Sequence, residues 1–146
     1  MNRRELIKWG VFGGAAGILT PQLLRAGEAQ GQLHTAMGGG VYYTRASPGR
    51  WSKKVTSHLP NIEVASNSDG KQEVLVVTRH VMEGFDHYIV KHMLLDGNFG
   101  FLMEKMFDPR DTEYPESTFT LDAYSGPLYA LSVCNQHDTW ISTAEI

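Results

Sequence analysis

STFTLDAY, residues 117–124, sets Phe119, Leu121 and Ala123 against Thr118, Thr120 and Asp122. Alternation of apolar and polar side chains with a period of two is the pattern of a strand buried on one face. Runs of the same character stand on both sides of it: GVYYT (40–44), KQEVLVVTR (71–79), HYIVKHMLL (87–95), FGFLMEKMF (99–107) and GPLYALSVC (126–134). Between them lie NSDG, MEGFD, DGN, DPRDTEYPE and SG, all rich in residues that turn a chain. Apolar spacing of three and four is nowhere sustained after the first thirty residues, so no helix of useful length is expected there. Many short strands at even spacing predict an all-β chain, an antiparallel β-sandwich of immunoglobulin-like type preceded by an N-terminal signal or helical segment.

The chain has 146 residues, 42% hydrophobic and 20% charged, which suits one soluble domain with one core. A net charge of −3, with the basic residues scattered beyond the start, offers no basic stripe and argues against a nucleic-acid partner. The start differs in kind. Arg3 and Arg4 precede Leu6, Ile7 and Lys8, then a Gly-rich apolar run to Leu24 and small residues around Ala29. This order resembles the twin-arginine export signal of bacteria and implies a periplasmic or extracytoplasmic location.

The apolar run is broken by Pro21 and falls short of the roughly 20 strongly apolar residues that span a bilayer, so membrane contact is expected only if the segment is retained as an anchor. The predicted organisation is a signal over 1–29, a flexible lead-in over 30–46 and the sandwich over 47–146. Loss of the first 29 residues removes four basic and two acidic groups and leaves 9 basic against 14 acidic, a net charge of −5.

The only cysteine, Cys134, stands three residues before His137 in LSVCNQHDTW (131–140). Alone it cannot build a disulfide framework; it is a ligand, a nucleophile or a buried bystander. Residues three apart on a continuous strand face opposite sides, so a centre shared by Cys134 and His137 requires the strand to end at Cys134 and Asn135-Gln136 to turn the chain. His80 closes one strand-like run and His87 opens the next, and Gly84 gives the intervening loop the freedom to bring both rings to one point. His58 lies in VTSHLPNIEV (55–64). His34, in the lead-in, is read as solvated. His92 is separated from His87 by an odd number of residues on one strand, faces the other side, and is left out. Four imidazoles and a thiolate exceed the four ligands of a closed structural zinc site. Imidazole with thiolate suits iron, copper or zinc, and five ligands with a sixth position open point to iron.

Three segments, SHLPNIEV (57–64), RHVMEGFDHYIVKHMLLDG (79–97) and LYALSVCNQHDTW (128–140), resemble in order the motifs of the superoxide reductases, the neelaredoxin and desulfoferrodoxin family. Together they reach from about Lys54 to Ile141. Carried over by position, the resemblance implies that His58, His80, His87, Cys134 and His137 hold a mononuclear non-haem iron, with the four histidines in a plane and the thiolate on one axis. It also implies an immunoglobulin-like sandwich and a reaction in which superoxide takes one electron from ferrous iron and two protons and leaves as hydrogen peroxide, with Cys134 the residue that carries the catalytic charge donation. The single cysteine implies that the extra rubredoxin-like iron module of some members is absent.

The departures from the family pattern are specific. Ser57 and Thr56 stand where the family has Lys and Glu before the first ligand, Val81 replaces a Pro, the loop from His80 to His87 is one residue longer, and Asp138 replaces a Gly. Lys53 and Lys54, upstream of His58, are a second source of positive charge, while Asp86 and Asp138 place negative charge beside two ligands. The partners implied are superoxide and an electron donor, either a rubredoxin-like protein or a periplasmic cytochrome. A homo-oligomer formed through exposed strand edges is a further expectation. Three other readings compete: an iron-containing electron-transfer or assembly subunit of an exported complex, a blue-copper protein, and a cysteine hydrolase. No Met follows His137, against copper, and nothing marks an oxyanion hole, against the hydrolase.

Overall fold

The computed structural model describes residues 36–66, 69–111 and 113–146; the segment read as an export signal lies outside them. Seven strands follow one another: β1 (Asn61–Ser66), β2 (Lys71–Val77), β3 (Ile89–Leu95), β4 (Phe101–Met106), β5 (Glu116–Asp122), β6 (Pro127–Cys134) and β7 (Asp138–Glu145). They form a three-stranded sheet in the order β1-β2-β5 and a four-stranded sheet in the order β4-β3-β6-β7, with antiparallel pairing throughout. This is the immunoglobulin-like sandwich expected from the alternation.

β5 shows why the alternation was informative. Ser117, Phe119 and Leu121 are buried, and Thr118, Thr120 and Asp122 are exposed. The inward residues meet Val74 and Val76 of β2, Leu94 of β3, and Leu128 and Ala130 of β6 in a core that the two sheets share. Burying a Leu or Val side chain contributes about 1.5–3 kcal/mol, so this layer is the main source of stability. Ala123 departs from the expected pattern. The strand ends at Asp122, and Ala123 turns into the left-handed region with φ 46° and is exposed.

The expectation of no helix of useful length holds among the described residues, where helical structure is confined to short stretches. A 3-10 helix, Gly49–Lys54, runs directly into an α-helical turn, Val55–His58. Lys54 and His58 are four apart at its end, a spacing that places side chains on one helix face. The segment read as a flexible lead-in is also folded from Ala36 onward, with Tyr42 and Tyr43 buried. Tyr43 N–H donates to Thr139 O and Tyr43 O accepts from Ile141 N–H, so this segment extends the edge of β7. Gly49 makes the approach possible: its φ is +46°, and a Cβ there would lie 2.1 Å from Gly39 O. The GVYYT run thus contributes bridge residues, without forming a full strand.

The register collects the chemistry at one end of the sandwich. Asn61 at the start of β1 pairs with Val77 at the end of β2, Ile89 at the start of β3 pairs with Cys134 at the end of β6, and Cys134 pairs with Asp138 at the start of β7. His58, His80, His87 and His137 sit just beyond these strand ends.

Candidate metal centre

His58 closes the short helix, and Pro60 follows it before β1 begins. His80 lies three residues past β2, His87 two before β3, and His137 one before β7. As the spacing required, β6 ends at Cys134 and the chain turns at Asn135-Gln136. Trp140 Nε1 holds that turn by donating to His137 O at 3.0 Å in the interior.

The donor atoms converge. His58 Nε2 lies 3.0 Å from His137 Nδ1, His137 Nδ1 lies 2.9 Å from His87 Nε2, and His87 Nε2 lies 2.9 Å from His80 Nε2. Cys134 Sγ stands 3.6 Å from His137 Nδ1. The donors of His58, His87, Cys134 and His137 are all within 4.8 Å of one another, and His80 joins through its contact with His87. Of the residues named from the sequence, His58, His87, Cys134 and His137 converge at this point and His80 adjoins them through His87. His34 lies outside the described residues, and His92 faces the core between the sheets.

The hydrogen bonds behind the rings test whether a metal fits. His58 Nδ1 is 2.8 Å from Ser57 Oγ, which itself donates to Lys54 O at 3.2 Å; the ring is therefore the donor and its Nε2 carries an inward lone pair. His87 Nδ1 is 2.7 Å from Glu83 Oε2, so the neutral ring keeps its proton on Nδ1 and presents the Nε2 lone pair inward. Both lone pairs face His137 Nδ1, a packing that is repulsive without a proton or a cation between them. Nitrogens bound at adjacent positions of one ion at bond lengths near 2.1 Å would be separated by about 3.0 Å, which is the spacing seen. The donor set fits a mononuclear iron: four imidazoles, and a soft thiolate at the buried side.

Electrostatics agree with that role. Burial first, then the neighbouring imidazoles His80, His137 and His87, lowers the pKa of His58 to about 3. Burial and His87 lower His80 to about 4, and burial followed by the Lys54 charge lowers His137. The rings are thus held neutral, the form that binds metal. Burial raises the Cys134 thiol, opposed by N–H groups of Gln136 and His137 and by Lys54. A bound cation would reverse that balance and deprotonate it.

Several residues around the centre were not assigned a role from sequence. Asn135 ties two ligand-bearing segments together: its Oδ1 accepts from Tyr88 N–H at 2.9 Å, and its Nδ2 donates to Asp86 O at 3.0 Å and Phe85 O at 3.3 Å. Ser57, noted from sequence only as a missing lysine, orients His58. Trp51 packs edge-on against His137 with ring centroids 4.6 Å apart. Its Nε1 and Arg50 Nη2 both donate to Asp138 Oδ2. Asp138, with φ 61°, occupies the left-handed region that favours glycine, and its charge is paired with Arg50. Lys54, read from the sequence as a second source of positive charge, disfavours protonation of His80 and His137 and favours the Cys134 thiolate, and its carbonyl accepts from Ser57 Oγ.

An immunoglobulin-like sandwich with a four-histidine, one-cysteine cluster at the end of its strands defines a class of mononuclear metal proteins. The desulfoferrodoxin family model matches residues 50–143, and the chain belongs to that family. Among solved structures it is similar to the superoxide reductase (neelaredoxin) from Ignicoccus hospitalis, with 31% identity and a TM-score of 0.60 over 74% of this chain and 95% of that one. A point variant of the same protein gives 31% identity and a TM-score of 0.63, over 74% and 94%. The superoxide reductase from Nanoarchaeum equitans shares the fold, with 16% identity and a TM-score of 0.54 over 62% and 94%. No curated protein sequence matches the chain significantly.

Proposed function

We propose that the chain is an exported non-haem iron protein that reduces superoxide to hydrogen peroxide, with His58, His80, His87, His137 and Cys134 holding one iron. The observation that carries this reading is the convergence of four imidazole nitrogens at 2.9–3.0 Å with a thiol in reach, in a chain that belongs to the desulfoferrodoxin family. Iron held by these residues would supply the one electron that, with two protons, converts superoxide to hydrogen peroxide. The protein supplies four imidazole rings, a buried sulfur whose charge would offset a ferric ion, and a charged approach for the anion.

Lys54 provides that approach in place of the residue before the first ligand. It shares a helix face with His58, and its charge bears on His80, His137 and Cys134. Pairing with Arg50 removes much of the repulsion expected from Asp138. A cationic side chain at a site raises local anion concentration and on-rate by tenfold or more in favourable cases. The Arg3-Arg4 signal supports export, and an exported chain needs an extracytoplasmic electron donor, such as a rubredoxin-like protein or a periplasmic cytochrome. Cell fractionation of Arg3→Lys, Arg4→Lys tests export; accumulation of the doubly substituted chain in the cytoplasm supports it, and unchanged export refutes it.

Rapid mixing of the reduced, iron-loaded protein with superoxide tests the activity. A fast reaction that slows as salt rises, and that slows about tenfold in Lys54→Met but not in Lys53→Met, is expected. A slow reaction in fully loaded protein refutes it and favours the electron-transfer or assembly reading, for which the Thr56-Ser57 pair is the motivating departure. Ser57→Lys would not isolate the charge, because it also removes the hydroxyl that orients His58.

A further inference from the structure

The imidazoles at the centre are not backed alike. His58 Nδ1 faces a neutral hydroxyl, Ser57 Oγ, at 2.8 Å. His80 Nδ1 is buried with no hydrogen-bond partner among the described residues. His87 Nδ1 faces a carboxylate, Glu83 Oε2, at 2.7 Å, a short charge-assisted bond.

The loop is built to make that contact. Glu83 N–H donates to His87 O at 2.8 Å, so the two residues form an isolated antiparallel bridge and Glu83 is fixed to the residue whose ring it meets. Gly84, at φ +65°, turns the chain directly after Glu83. Asn135 and Gln136 then clamp the far side of the loop through the carbonyls of Phe85 and Asp86. Backbone pairing, the glycine turn and the clamp all act to keep one carboxylate on one ring. The loop is also the one that is a residue longer than the family pattern.

We propose that Glu83 is a positioning residue that tunes the metal through His87. Its negative charge draws the Nδ1 proton, gives the ring partial imidazolate character, and makes His87 a stronger nitrogen donor than His58 or His80. The consequence is tighter metal binding and preferential stabilisation of the ferric over the ferrous ion, because the more highly charged state gains more from a more negative ligand. The Glu83 side chain is 58% exposed, so solvent reduces the effect without removing it, and substitution there spares the core. This inference rests on the iron reading of the same site.

The test separates charge from hydrogen bonding. Glu83→Gln keeps an oxygen that accepts from Nδ1–H and so keeps the ring orientation, while Glu83→Lys reverses the charge. Iron(II) affinity is measured anaerobically by chelator competition, and the midpoint potential by redox titration of the visible band. Weaker iron binding in Glu83→Gln, by about 10–100-fold, with a raised potential that rises further in Glu83→Lys, is expected. Parental affinity and potential in Glu83→Gln would overturn the proposal and leave Glu83 a structural role only. Failure of the parent chain to bind one iron would instead overturn the iron reading itself, so the two failures are distinguishable.

Discussion

Asn135→Ala should loosen the centre while leaving all five ligand side chains in place. The side chain makes three hydrogen bonds to the backbone, one from Tyr88 N–H and two to the carbonyls of Asp86 and Phe85, and its Oδ1 also takes a long contact, 3.9 Å, from Cys134 Sγ. They join the turn carrying Cys134 and His137 to the loop carrying His87. Each such bond contributes about 0.5–1.5 kcal/mol net, and these lie at the surface, so the sum is about 1–2 kcal/mol. The backbone bond from Asn135 N–H to Tyr88 O, at 3.1 Å, survives the substitution and keeps β3 and β6 paired. The cost therefore falls on the relative placement of the two ligand segments. If metal binding must restore that placement, 1.4 kcal/mol corresponds to a tenfold loss of affinity. Urea unfolding of the metal-free chain and chelator competition for iron(II) measure the two quantities. Gln136→Ala, which removes only the bond to Asp86 O, is the control with a smaller expected effect. Parental stability together with parental iron affinity in Asn135→Ala would refute the claim that this side chain couples the ligand loops.

Acid stability depends on His92. Its Nε2 meets Thr78 Oγ1 and its Nδ1 meets Ser117 Oγ, both at 2.9 Å in the interior, and burial, then Lys105, lowers its pKa to about 3 from an ordinary 6.5. Between those values the unfolded chain binds a proton that the folded chain does not, so stability is full above pH 6.5 and falls toward pH 3 by about 1.4 kcal/mol per pH unit. His92→Gln should remove this component, read as a shallower slope of unfolding free energy against pH in the same metal state; an unchanged slope would count against it. Gly49→Ala should cost about 2 kcal/mol or more, since the new Cβ meets Gly39 O in a left-handed backbone, and should alter Trp140 fluorescence as Tyr43 is displaced. Parental unfolding and fluorescence would show that the segment can move aside freely.

The sandwich was legible because β5 and β6 alternate burial residue by residue. β7 does not stand out in the sequence, and its structure gives the reason: Trp140 and Ile141 are adjacent and both buried, which breaks the period of two. β1 escaped because it is an edge strand with hardly any buried face. The helical run from Gly49 to His58 is too short, and too largely 3-10, to carry a helical repeat. At the centre, the need for a turn between Cys134 and His137 followed from strand geometry, whereas the full ligand set rested on the family resemblance. The residues behind the ligands were harder to read. Ser57 adjoins His58, but its hydroxyl acts on the ring only because the helical turn returns it to Lys54 O. Glu83 reaches His87 only because the loop closes on itself, and the spacing of four residues between them was the available signal.

The most direct measurement is an anaerobic iron(II) titration of the purified chain, followed by oxidation and visible spectroscopy, beside Cys134→Ser. The expected result is one iron per chain with a thiolate-to-iron absorption band in the parent, and loss of that band in the variant while the histidines still retain iron. An iron-loaded Cys134→Ser protein with the parental spectrum, or a parent chain that binds no iron, would contradict the assignment of these five residues to a single metal centre.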